Sequence, residues 1–220
     1  MQYILNIDTS LPKAIVSISE NGLIRQIETN ENQRNHAAFL HPAINLLLER
    51  EKIEIKNLSA IAVAVGPGSY TGIRVAMATA KGLCLALNIP IIAIDNLRIM
   101  AAAGREDVLD ETLICSMIDA RRMEVFTATY DLKLNLKSGP EALVLNINAF
   151  SEEISQKKIL FCGNGSKKFG ELIPRGENFK FVEPETARAM AELSNNLYKA
   201  GSFSNLIDTE PFYMKDFYNG

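Results

Sequence analysis

The stretch VGPGSYTGIR occupies residues 65–74, where an apolar run ends and a helix-like run begins. Gly66, Pro67, Gly68, Ser69, Thr71 and Gly72 sit at the join. A strand-to-helix turn of this kind leaves backbone N–H groups free at the helix start, which suits an anion. The spacing nevertheless excludes the familiar phosphate loops. A P-loop requires G-x-x-x-x-G-K-[ST] and a dinucleotide fingerprint requires G-x-G-x-x-G. Here the glycines read G-x-G-x-x-x-G, with no lysine after the last. Ser69 is not a nucleophile elbow either, because G-x-S-x-G needs glycine where Pro67 stands. A serine-hydrolase reading also needs a base, and the sequence places neither His36 nor His41 beside Ser69. The turn reads first as a tight bend capped by Ser69 or Thr71, with phosphate holding as a secondary role.

Working outward, the flanking segments alternate between strand and helix patterns. Residues 3–8, 13–19 and 23–28 read as three meandering strands, the last two joined by Asn21-Gly22, a type I′ hairpin signal. Residues 35–50 carry a helical stripe at Phe39, Leu40, Ala43, Ile44, Leu47 and Leu48. Pro42 suggests a bend or a late start there. Residues 58–65 form a continuous apolar strand, as in a sheet covered on both faces. A helix at 71–87, a strand at 90–95 and a short helix to 103 follow. The second half repeats the scheme: strands at 112–118, 124–130 and 133–136, a helix at 148–156, a strand at 158–162, a turn at CGNGS and a helix at 184–199. The echo predicts a duplicated α/β unit with parallel pairing among the later strands of each half. The polar run GREDVLDE (residues 104–111) is the candidate linker.

The chain has 220 residues, 23 Lys and Arg against 26 Asp and Glu, and a net charge of −3. It lacks the cationic surplus from which unaided nucleic-acid binding arises. Arg121-Arg122 is a local exception that could contribute to a site assembled with a partner. Cys84, Cys115 and Cys162 lie apart in apolar runs and read as buried free thiols. The N-terminal segment lacks the charged start of a secretory signal. No apolar run reaches the roughly 18 residues of a membrane span. These features predict a cytoplasmic protein away from the membrane.

Three groups of residues could carry function. Gly72, Ala76 and Ala80 recur every four residues, and Ala78, Gly82 and Ala86 repeat the pattern on another helical face. One face would pack on the sheet and the other on a helix of another subunit. We assign docking to Gly72/Ala76/Ala80, together with the Phe39/Ala43/Leu47 stripe. Gly82 in mid-helix costs roughly 1 kcal/mol against alanine, which close packing would offset. Asp8 and Asp119 end corresponding strands, where a duplicated fold would place a central cleft, although strand-end acids also cap turns. His36 and His41 are five residues apart, so their rings diverge by about 140° and no two-histidine metal site is expected.

With these residues in view, the chain resembles the TsaB (YeaZ) family. The matching stretches are NIDTS (6–10), HAAFLHPAI (36–44), GPGSYTGIRV (66–75), DARRMEV (119–125), GNGS (163–166) and PFYMKDF (211–217). It departs from the family pattern at His41, Ala76, Met123 and the Tyr213-Met214-Lys215 tail. The resemblance implies an α/β, actin-like ATPase (ASKHA, ribonuclease-H-like) fold of two duplicated lobes, here residues 1–104 for partner docking and 105–220. It implies a non-catalytic subunit without intrinsic cofactor or metal. Such a subunit pairs with a TsaD-type transferase that modifies adenosine 37 of tRNA, and a TsaE-type ATPase joins the complex. It forms a homodimer when alone and meets tRNA only indirectly. The implied contact uses helices mapping to residues 36–50 and 69–87. Its candidate residues are His36, Phe39, Leu40, Ala43 and Leu47 on the first helix. Those on the second are Ser69, Tyr70, Thr71, Ile73, Arg74, Ala76, Met77 and Ala80. A competing reading is a small ATP-dependent phosphotransferase of the same superfamily. It would place Asp8, Thr9, Ser10, Asp119, Gly163 and Asn164 around a nucleotide, and the same residues are the candidates for ATP or ADP with Mg at a complex interface.

Overall fold

The structure, a computed structural model, describes residues 1–108, 112–174 and 176–215. Residues 109–111 of the candidate linker and 216–217 of the matching tail therefore lie outside the described residues. The chain divides into two compact units, Met1–Asn96 with Ala187–Phe212, and Leu97–Thr186 with the tail from Tyr213.

The first unit is built on one five-stranded sheet. Its strands are β1 (Tyr3–Asp8), β2 (Ala14–Glu20), β3 (Leu23–Asn30), β4 (Leu58–Ala64) and β5 (Ile91–Ile94). Their spatial order is β3-β2-β1-β4-β5. β1 runs antiparallel to β2 and parallel to β4, and β4 runs parallel to β5. This is the ribonuclease-H-like order. Asn21 and Gly22 take φ values of 52° and 88°, the left-handed pair that a type I′ hairpin requires. The helices α1 (His36–Glu51) and α2 (Tyr70–Leu87) bury one face each, joining Leu40, Ala43, Leu47, Ala76, Met77 and Ala80 to Leu5, Ile7, Val16, Ile61 and Val63. α1 runs unbroken through Pro42, which lies on its exposed side.

The second unit repeats the order with β6 (Leu113–Asp119), β7 (Glu124–Tyr130), β8 (Leu136–Val144), β9 (Ile159–Cys162) and β10 (Phe179–Val182), arranged β10-β9-β6-β7-β8. Here the structure differs from the sequence reading in three places. Residues 133–136 are not a strand: Asp131 Oδ1 accepts from the N–H groups of Lys133 and Asn135 and holds a turn, so β8 begins only at Leu136. β8 tolerates Pro140 because it is an edge strand. The helix expected at 148–156 shortens to α4 (Ser151–Gln156), and α5 (Ser166–Leu172) and β10 were not legible. What holds α5 and β10 is aromatic packing. Phe161 touches Phe169, Phe179 and Phe181 with ring centroids 5.0, 6.2 and 5.4 Å away, well within the range of favourable aromatic pairs.

The units also exchange helices relative to a cut at 104/105. α3 (Asn96–Gly104) belongs mainly to the second unit. Ser116 Oγ donates to the carbonyl of Leu97 at 2.7 Å, and a Cβ on Gly104 would stand 3.0 Å from Cys162 Sγ. The closing helix α6 (Ala187–Lys199) belongs to the first unit. Its Ser194 hydroxyl donates to Oδ1 of buried Asn6 on the central strand at 2.7 Å, and Asn195 accepts from Gln2. These are satisfied buried polar groups, which hold a helix in one register. Sequence periodicity shows that a helix exists, but not which sheet it covers.

The three cysteines are free and buried, as expected. Burial pushes the Cys84 thiol up to about 11 and Cys115 up to about 12.

Gly82 departs from its expected role. It lies on the exposed side of α2, and a Cβ there would meet nothing within 4 Å. Close packing on its own unit does not compensate it. Gly82→Ala is therefore expected to raise stability by about 0.5–1 kcal/mol in urea denaturation of the isolated chain.

Candidate functional site

The site is built from the end of β1 and the turn between β4 and α2. Asp8, Thr9 and Ser10 are 2%, 0% and 2% exposed. Bonds within the chain engage Asp8 Oδ1 and both hydroxyls. Asp8 Oδ1 accepts from the Ser10 N–H at 2.9 Å and from the Ser10 hydroxyl at 2.5 Å. The Asn96 amide donates to Ser10 Oγ, and Asn96 Oδ1 accepts from Gly66 N–H at 3.0 Å. Thr9 Oγ1 donates to the Gly72 carbonyl at 2.7 Å, while the Ser10 carbonyl accepts from Ser69 N–H at 2.7 Å. His36 Nδ1 lies 3.2 Å from the Thr9 carbonyl, which ties the first residue of α1 to the same turn.

The glycines of the 65–74 stretch now have a reason. A Cβ on Gly72 would stand 1.9 Å from the Thr9 carbonyl oxygen, and one on Gly68 would stand 2.5 Å from that of Ser10. Gly66, at φ 115°, would meet the Phe212 carbonyl at 2.4 Å. The glycines admit neighbouring backbone at close range. Ser69 caps α2 as expected, accepting from Gly72 N–H at 3.3 Å.

Burial pushes the Asp8 carboxyl up from its ordinary value of 3.8, and the Ser10 hydrogen bonds and the charge of His36 only partly reverse this. The folded state thus holds this proton more tightly than the unfolded chain. Asp8 costs stability as pH rises from about 3.8 through its raised folded value.

Of the docking candidates, Tyr70, Thr71 and Arg74 are exposed, while Phe39 and Ser69 are half-buried. The Arg74 guanidinium donates to Tyr70 Oη at 2.9 Å and lies over its ring. His36, Leu40, Ala43, Leu47, Ile73, Ala76, Met77 and Ala80 are buried in the first unit. The Gly72/Ala76/Ala80 stripe is therefore the sheet-facing side of α2, and the assignment of docking to it is corrected. The reason is the approach of Thr9, which only the bare Gly72 end of that stripe accommodates. The opposite stripe of Thr71, Arg74, Ala78, Gly82, Leu85 and Ala86 is open, with Leu85 76% exposed. Beside it, α1 exposes Ala38, His41, Pro42 and Asn45, with His41 Nε2 3.5 Å from Thr79 Oγ1. The spacing of Ala78/Gly82/Ala86 was the signal for this face. His36 and His41 have separate surroundings, one buried and one exposed.

In the second unit the same device recurs. A Cβ on Gly163, at φ 110°, would stand 2.4 Å from the Met117 carbonyl, and one on Gly165 2.8 Å from Val125. Asn164 Oδ1 accepts from Asp119 N–H at 3.0 Å, and Asp119 Oδ1 accepts from Lys168 Nζ at 2.5 Å. The structure thus brings Asp119, Gly163 and Asn164 together, and it pairs the carboxylate with a lysine. None of the sequence-derived candidates lines the open cavity of about 960 Å³ beside Asp131, Lys133, Lys137, Lys157 and Lys158.

Two outcomes check this site. Gly72→Ala should destabilise the chain by about 3 kcal/mol or prevent folding, because a backbone must move to admit the methyl group. Asp8→Asn should make the urea midpoint less dependent on pH as pH rises from about 3.8, since the variant lacks the buried ionisation.

A family model described as TsaD: tRNA N6-adenosine threonylcarbamoyltransferase matches residues 23–192. A protein of Bacillus subtilis (strain 168) called tRNA threonylcarbamoyladenosine biosynthesis protein TsaB is 40% identical over 175 residues, covering 77% of this chain and 74% of its own. The Escherichia coli (strain K12) protein of the same name is 31% identical over 225 residues, covering 97% and 94%. Among solved structures, one called YeaZ from Pseudomonas aeruginosa superposes with a TM-score of 0.78 at 22% identity over 97% of this chain and all of the other. A second, described as an uncharacterized protein with similarity to peptidase YEAZ from the same organism, gives 0.83 at 23% over 98% and 100%. The two structures agree with the fold found here, and the level of sequence identity to the curated relatives carries the rest: the chain belongs to the TsaB (YeaZ) family, within the broader TsaD-type family that its residues 23–192 match.

Proposed function

We propose that this chain is a non-catalytic subunit in the biosynthesis of N6-threonylcarbamoyladenosine at position 37 of tRNA. It docks a TsaD-type transferase, with a TsaE-type ATPase joining the assembly. The observation that carries this reading is the open, small-residue face of α2. Ala78, Gly82 and Ala86 let a foreign helix approach closely, and Leu85, at 76% exposure, offers an apolar anchor. Exposed apolar surface bordered by small side chains is the chemistry of a helix-on-helix interface. The names of the relatives supply the pathway.

The β1 end supports a role without bond-making. Oδ1 of Asp8 is engaged by Ser10, the Thr9 hydroxyl by the Gly72 carbonyl and the Ser10 hydroxyl by Asp8 and Asn96, so these groups already serve the turn. The phosphotransferase alternative therefore gains nothing from this geometry. ATP or ADP with Mg, where used, would belong to the assembly. The same α1–α2 face would pair two copies when the transferase is absent, within a cytoplasmic complex that brings tRNA to the chain through its partners.

Ala78→Arg places a charge in the centre of the open face and touches no core residue. It is expected to keep the circular dichroism spectrum and thermal midpoint of the parent chain while co-purification with the TsaD-type subunit falls at least tenfold. Ala76→Arg, on the buried side, should fail to fold. Full complex formation by Ala78→Arg would sink the docking assignment.

A further inference from the structure

The hairpin between β6 and β7 has no place in the function proposed so far. Arg121 and Arg122 stand at its tip with φ values of 69° and 50°. Two successive non-glycine residues in the left-handed region are unfavourable, and such strain persists only where the surroundings hold it. The hairpin between β2 and β3 meets the same demand with Asn21-Gly22, which fit it without strain. Here the strained tip is held by a dense set of bonds. Asp119 Oδ1 accepts from Arg121 N–H at 2.6 Å. Lys168 Nζ, from α5, donates to Asp119 at 2.5 Å, to the Arg122 carbonyl at 2.6 Å and to the Glu124 carbonyl at 3.5 Å. Asn164 fixes the backbone of Asp119.

The charges around the tip are paired and the tip itself is not. Lys168 answers Asp119, and Lys215 answers Glu124. The guanidinium groups of Arg121 and Arg122 are exposed and have no partner among the described residues. A chain with a net charge of −3 thus holds out two uncompensated forks on a rigid mount. Guanidinium is the group best shaped for phosphate oxygens.

We propose that the 119–124 hairpin is a phosphate-contacting element that grips the phosphodiester backbone of RNA, supplying two contacts to a tRNA held by the assembly. This rests on the reading of the chain as a tRNA-modification subunit, and goes beyond it by giving the chain its own RNA contact. Asp119, Asn164 and Lys168 are then positioning residues. They spend their polar groups on the hairpin rather than on a nucleotide.

The test replaces both arginines with the residue that the backbone prefers. Arg121→Gly/Arg122→Gly relieves the strain, so the thermal midpoint should stay level or rise. The full chain is titrated into fluorescently labelled tRNA at several salt concentrations, alone and again with the TsaD-type partner. In both series the double variant should bind about tenfold more weakly, and its salt slope should be shallower by about 1.5, as for two lost phosphate contacts. The hairpin lies in the second unit and the proposed docking face in the first. Failure of docking would therefore remove only the gain from added partner and leave the difference between the chains intact. Equal tRNA affinity of variant and parent would overturn the proposal. So would a lowered midpoint, which marks a structural hairpin. A Mg-ATP titration that displaces tRNA through the same arginines would assign the phosphates to a nucleotide and overturn it as well.

Discussion

The first unit depends on a direct contact between two pieces of backbone, the end of β1 and the turn that starts α2. Thr9 and Ser10 present carbonyl oxygens to Gly72 and Gly68 at distances that no side chain would permit. Three further bonds close the contact, from Thr9 to Gly72, from Ser69 to Ser10 and from His36 to Thr9. Because α1, α2 and β1 all meet at this point, the orientation of both helices on the sheet follows from it. Gly163 and Gly165 let the turn after β9 sit on the end of β6 in the same way. A duplicated fold has kept one packing solution in both units.

The contact also determines which chemistry remains available. The strand-end aspartate and the two hydroxyl residues that follow it hold the turn, through Asp8 Oδ1, Thr9 Oγ1 and Ser10 Oγ. Asp8 is carried as a buried acid at a cost in stability, offset only partly by the Ser10 bonds. The contact turns α2 so that its glycine-led stripe faces inward and its second small-residue stripe faces out. The exposed surface of α2 is thus a consequence of how Gly72 receives Thr9.

The second unit uses the corresponding strand end differently. Asp119 is exposed rather than buried, and its carboxylate steadies a hairpin instead of closing a core. Lys168 supplies a directly bonded cation, whereas the bonds to Oδ1 of Asp8 come from Ser10. In the first unit the turn after β1 is sealed, with Thr9 and Ser10 buried. Its counterpart after β6 carries Arg121 and Arg122 into solvent. The repeated scaffold has diverged most where its strands end.

The sequence alone determined the strands and helices of the first unit, because their periodicities and turn residues are local signals. Asn21-Gly22 specifies its hairpin, Ser69 its helix start, and the apolar run at 58–65 its buried strand. The duplicated α/β scheme was legible for the same reason, as was the family, through the 65–74 stretch. β10 and α5 were not, since each is short and is held by the Phe161, Phe169, Phe179 and Phe181 cluster rather than by its own pattern. Nor could a helical repeat of small residues show which of its two faces is inside. Gly72/Ala76/Ala80 and Ala78/Gly82/Ala86 are equivalent as patterns, and only the position of Thr9 across 63 residues of chain distinguishes them. Partition of α3 and α6 between the units had the same character. Local sequence sets what a segment becomes, whereas contacts between distant segments decide which side of it is left exposed.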